Sequence, residues 1–88
     1  MQKRAVNIVN RLGLHARAAA KLVTLCGRYS SNVVLFANGR RASGRQFVAL
    51  LLLSASMGAQ VAIEVNGPDE REAMVAVTRL ITSGFGEG

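Results

Sequence analysis

Hydrophobic and polar residues follow three patterns along this chain. Val6 and Ile8 alternate with Asn7, which predicts a short first strand with one buried face. Arg11-Leu12-Gly13-Leu14-His15 breaks the alternation and reads as a loop. Ala19, Leu22, Val23 and Cys26 then recur at helical spacing, and Gly27 stands where that helix would end. Val33-Val34-Leu35-Phe36 is β-branched and aromatic and predicts a second strand. Asn38-Gly39 follows it, and a type I′ turn needs positive φ at both central residues, so Arg40 to Ser43 is expected to return as a third strand. Gln46 to Leu53 is a short apolar segment whose leucines favour helix. Val61 to Val65 alternates cleanly as a strand. Pro68-Asp69-Glu70-Arg71-Glu72 opens a last helix, with proline and acids where the macrodipole prefers them. Ala73, Met74, Val77, Leu80 and Ile81 give that helix one apolar stripe. Gly84-Phe85-Gly86-Glu87-Gly88 reads as a frayed tail.

The predicted order is β-α-β-β-α-β-α. Strands with one apolar face imply an α+β open-faced sandwich, a four-stranded, mainly antiparallel sheet with three helices packed on one face. No repeat or linker divides the 88 residues, so residues 1–88 are expected to form a single domain. Half the residues are hydrophobic and 18% charged, enough to bury a core. A chain this small buries only ~60% of its unfolded surface and has no room for a deep catalytic cavity. Any chemistry is therefore expected at the surface.

Eleven Lys and Arg against five Asp and Glu give a net charge of +6, which favours an acidic protein face, a phosphorylated group or nucleic acid as partner. The single cysteine, Cys26, excludes an internal disulfide and a Cys-rich zinc site, and its place on the apolar stripe makes it a core residue. No secretory segment opens the chain, and the apolar run Phe47–Leu53 is far too short to span a bilayer. A cytoplasmic protein with no membrane insertion, no metal and no cofactor is the expectation.

Gly13-Leu14-His15-Ala16-Arg17 lies where the first loop becomes a helix. A histidine there faces the free N–H groups of the first turn and the positive end of the dipole. These favour a neutral imidazole with a nucleophilic nitrogen, and they would also receive an anion carried on the ring. Arg17 adds a charge-assisted contact to phosphoryl oxygens, and Gly13 supplies the freedom to turn sharply. The arrangement permits reversible phosphorylation of His15 without demanding it, since a histidine at a helix start also serves as a cap.

The segment Asn10-Arg11-Leu12-Gly13-Leu14-His15-Ala16-Arg17, followed by Ala18-Ala19-Ala20-Lys21-Leu22-Val23, strongly resembles the active-site segment of the HPr phosphocarriers of the bacterial phosphotransferase system. The resemblance spans nearly the whole chain, including its length, the order of elements and the Asn38-Gly39 turn. The C-terminal Phe85-Gly86-Glu87-Gly88 is similar to tails of proteobacterial members, some in the nitrogen-related branch. The resemblance implies a relay in which enzyme I phosphorylates Nδ1 of His15 and the group passes to a histidine of an enzyme IIA component, for sugar uptake or regulation. It also implies a carrier rather than an independent enzyme, acting as a monomer. Arg17 would stabilise the phosphoryl group, together with the backbone N–H groups of Ala16 and Ala18. Leu12, Ala16, Ala20, Phe47, Val48 and Leu51 match the family's apolar docking patch, with Arg11, Arg17, Lys21 and Arg45 as a positive ring. Phe47 and Val48 suit docking and core equally well on sequence alone, and Leu50 and Leu53 suit core.

Two departures stand out. Ala18 replaces a usual proline, restoring an N–H at the cost of a fixed φ. Gln46 occupies the place of the regulatory serine of Gram-positive members, so phosphorylation by the ATP-dependent kinase is not expected. The competing reading is a nucleic-acid-binding module, which the charge would suit. Against it, the basic residues are scattered and no aromatic pair on one strand forms a stacking platform.

Overall fold

The computed structural model describes residues 1–87; Gly88 lies outside them. Strands β1 (Gln2–Asn7), β2 (Asn32–Ala37), β3 (Arg40–Ser43) and β4 (Gln60–Asn66) form one sheet in the order β1-β4-β2-β3, antiparallel at every pairing. Helices α1 (Ala16–Cys26), α2 (Phe47–Leu52) and α3 (Glu70–Thr82) complete the α+β open-faced sandwich. Among the described residues no helix is long and apolar enough to cross a membrane.

The core follows the two periodicities. Val33 and Leu35 from β2 and Val61, Ile63 and Val65 from β4 turn to one face, and Leu22, Cys26, Ala73, Met74, Val77 and Ile81 cover them from the helices. Leu50 and Leu53 are fully buried, as expected. Burial pushes the Cys26 thiol up to about 11, against the opposing pull of Arg45, so this cysteine is an inert packing residue. Asn38 and Gly39 both have positive φ, the type I′ turn that their sequence required. The Asn38 side chain also donates to the carbonyls of Leu53 and Ser54, which ties the hairpin tip to the end of α2.

Three expectations need correction. The first strand runs Gln2–Asn7 rather than Val6–Ile8; its outer half is polar because β1 is a sheet edge, and Ile8 is buried just past its end. Arg45 does not join the ring around His15. Its guanidinium donates to the Tyr29 and Cys26 carbonyls, where a cation suits the negative end of α1. The tail, through Glu87, is docked rather than frayed. Gly84–Gly86 forms a 3-10 turn, Phe85 is 0% exposed within the core cluster, and the three residues Gly84, Phe85 and Gly86 all take positive φ.

Candidate functional site

Gly13 sets up the site. It has φ +66°, and a Cβ there would fall 2.5 Å from the Ala55 carbonyl oxygen and 2.8 Å from Ser56 Cα. Only glycine allows this approach, and it lets Leu14 N–H donate to Ala55 O at 2.8 Å while the Leu14 side chain sinks into the core. The chain therefore enters α1 with His15 fixed as its N-cap, in extended backbone conformation.

The imidazole is held at both nitrogens. Nδ1 accepts from the backbone N–H of Arg17 at 3.2 Å, so it presents its lone pair to the helix N-terminus. Nε2–H donates to Oε2 of Glu87, since a carboxylate can only accept. Glu87 is fixed through its other oxygen by Asn10 Nδ2 at 2.8 Å, and that same amide donates to Gly13 O. Lys21 Nζ secures the tail with a 2.6 Å bond to Phe85 O. Asn10 chiefly, with His15 and Lys21, holds the Glu87 carboxyl below its usual value, against partial desolvation.

Arg11, Leu12, Arg17, Lys21 and Gly86, with Asn10 and Glu87, line a depression of about 370 Å³. Helix geometry leaves the N–H groups of Ala16 and Ala18 without an acceptor one turn back, although the Ala18 side chain itself is fully buried. Unpaired first-turn N–H groups at a helix N-terminus can receive an anion, and Arg11, Arg17 and Lys21 line the neighbouring depression.

The structure thus brings His15, Ala16, Arg17, Ala18 and Lys21 together on the first turns of α1. Beside them lies an exposed apolar surface, with Leu12 at 67%, Val48 at 64% and Phe47 at 39% exposure. Ala16 and Ala20 are also exposed, and Leu51 is half-buried. For Phe47 and Val48, solvent exposure decides against core. Leu52, at 55%, and Met57, at 60%, are exposed apolar residues that the sequence pattern did not single out. Gln46 immediately precedes α2, and its side chain makes no capping bond. Asn10 and Glu87 are the members of the site that sequence reasoning missed as such. The one available signal was a lone carboxylate in a tail with a single large apolar anchor.

The comparisons with known proteins agree with this geometry. The family model described as "PTS HPr component phosphorylation site" matches residues 2–83. The chain is 46% identical over 88 residues to the phosphocarrier protein HPr of Cupriavidus necator, covering 100% of this chain and 99% of that protein. It is 44% identical over 86 residues to the phosphocarrier protein NPr of Klebsiella oxytoca, covering 97% and 96%. The crystal structure of HPr-C-His from Thermoanaerobacter tengcongensis superposes with a TM-score of 0.94 at 33% identity, covering 100% of this chain and 99% of that one. Sequence, fold and the histidine-capped first helix lead to one assignment: the chain belongs to the HPr family, the phosphocarrier proteins of the phosphotransferase system, which are not independent enzymes.

Proposed function

We propose that this protein accepts a phosphoryl group on Nδ1 of His15 from phosphorylated enzyme I and passes it to a histidine of an enzyme IIA component, in sugar uptake or in regulation. The observation that carries this reading is Nδ1 poised at the start of α1, 3.2 Å from the Arg17 N–H, on a helix whose first turns carry Arg17 and Lys21. In the transfer the Nδ1 lone pair attacks phosphorus, the Nδ1–P bond forms as the donor's N–P bond breaks, and the electron pair of that bond returns to the donor nitrogen. The first-turn N–H groups of Ala16, Arg17 and Ala18 and the Arg17 guanidinium then receive the phosphoryl oxygens. Ala18 contributes a donor that proline would lack, so phosphorylation is retained while the transfer equilibrium shifts. Helix-end stabilisation of ~0.3–1 kcal/mol keeps the group bound yet transferable.

Leu12, Ala16, Ala20, Phe47, Val48 and Leu51 provide the apolar face for both partners. Arg11, Arg17 and Lys21 steer an acidic partner surface towards it; such encounters are fast and short-lived. The carrier works as a monomer in the cytoplasm. With Gln46 before α2, it lacks the hydroxyl that a serine kinase would need there. Intact-mass measurement after incubation with phosphoenolpyruvate and enzyme I is the test. One acid-labile phosphoryl group, absent in His15→Ala, is expected. No gain, with the enzyme I itself phosphorylated, refutes the relay and favours the nucleic-acid reading, which a steep salt dependence of binding would reveal.

A further inference from the structure

Given that reading of His15, the geometry points to Glu87 as a positioning residue for the phosphoryl relay: its carboxylate holds the proton on Nε2 and balances the positive charge that the ring gains when Nδ1 is phosphorylated. Three observations converge on it. Nε2–H donates to Oε2 of Glu87, leaving Nδ1 as the unprotonated nitrogen, its lone pair turned to the Arg17 N–H. Oε1 of the same carboxylate is held by the buried Asn10, whose amide also braces the loop at Gly13. The tail that carries Glu87 is itself anchored, by the fully buried Phe85 and by the bond from Lys21 Nζ to Phe85 O. A carboxylate tied down at both ends and aimed at an imidazole N–H has the arrangement that, in hydrolytic triads, fixes the tautomer and stabilises the imidazolium.

The chemical consequence follows from electron counting. When Nδ1 bonds to phosphorus and the donor nitrogen recovers its electron pair, no proton leaves His15, so the Nε2-protonated ring becomes cationic. The protonated form has the weaker N–P bond, because the ring then departs as a neutral imidazole. Glu87 favours that form and so extends the lability of the phosphoryl group to higher pH. The other charged groups lining the depression, Arg11, Arg17 and Lys21, are all cations that oppose a cationic ring, which leaves Glu87 as the opposite charge there among the described residues.

The test is the pH profile of phosphoryl hydrolysis for wild type, Glu87→Gln and Glu87→Ala, each loaded through enzyme I and phosphoenolpyruvate. Glutamine keeps the shape and an acceptor but not the charge. Both variants are expected to move the midpoint of the profile down by roughly half a unit to one unit, the range for a part-exposed ion pair. Above the midpoint the rate follows the protonated fraction, so hydrolysis slows by about three- to tenfold. Coincident profiles for all three proteins overturn the proposal. So does a Glu87→Gln profile that matches wild type while Glu87→Ala differs, since shape alone would then suffice. The unphosphorylated ring gives an independent reading by NMR. A hydrogen-bonded His15 Nε2 proton is expected in wild type and lost in Glu87→Ala; its absence from wild type overturns the clasp. Failure of enzyme I to load any of the proteins, with this proton present, overturns the carrier reading and leaves the Glu87–His15 contact standing.

Discussion

Replacing Phe85 by alanine separates a docked tail from a frayed one. The phenylalanine lies three residues from the end of the chain, where local sequence predicts fraying, yet its side chain is fully buried with the core cluster. If the rest of the tail stayed in place, truncating a buried phenylalanine would cost about 3–5 kcal/mol, the lost transfer energy plus the cavity left behind. A terminal segment can partly relieve the cavity by undocking, which also gives up the Lys21–Phe85 and Asn10–Glu87 hydrogen bonds. A loss of about 3 kcal/mol is therefore expected, large for a domain of this size, whose total is of order 5–10 kcal/mol. Urea unfolding followed by circular dichroism measures it. With a slope near 1 kcal/mol per molar for so small a protein, the midpoint should fall by about 3 M. A loss below about 0.5 kcal/mol with unchanged slope would mean that Phe85 is not packed in solution, and would remove the anchor on which the Glu87 contact depends.

Gly13→Ala forces a side chain into positive φ and against the Ala55 carbonyl, so it is expected to cost about 2–4 kcal/mol by thermal or urea unfolding; a change under 1 kcal/mol would refute the close approach. Gln46→Ser supplies the missing N-cap of α2 and is expected to raise stability by about 0.5–1 kcal/mol, read from the same unfolding curves; a loss would show that the first turn of α2 gains nothing from a cap. Asp69 accepts from Ser31 Oγ and from the backbone N–H groups of Ser30 and Ser31, which holds its carboxyl below the ordinary value of 3.8. Because the folded value is the lower one, this contribution is complete above the unfolded value and disappears as pH falls through the folded one. Asp69→Asn is therefore expected to destabilise the protein at neutral pH and to flatten its stability below about pH 4; an unaltered acid limb would refute the assignment.

Much of the architecture was legible because it is written in local periodicity. A period of two can bury only one face of β4, and the stripe Ala73, Met74, Val77, Ile81 can face the core only from a helix. Asn38-Gly39 left few choices of turn, since few other residues accept positive φ twice in succession. His15 at a helix start was equally plain: loop, glycine and apolar spacing place it there before any tertiary contact forms. The features that the pattern could not show depend on groups distant in sequence. Arg45 reads as a surface charge until the carbonyls of Cys26, at the end of α1, and Tyr29, just past it, lie against it, 19 and 16 residues away. Phe47 and Val48 suit core and docking equally until the sheet has filled its covered face with other side chains and leaves them outside. The tail is the strongest case. Glycine, glutamate and one phenylalanine carry no periodicity, and the contacts that order them come from Lys21, 64 residues away, and Asn10, 77 residues away. Sequence alone therefore determined the order of elements, the turn and the histidine at the head of its helix, because short-range sterics and hydrophobic spacing decide those. Only the tertiary structure decided which partner Nε2 of that histidine meets, because closing a loop of most of the chain's length needs the whole core to form first.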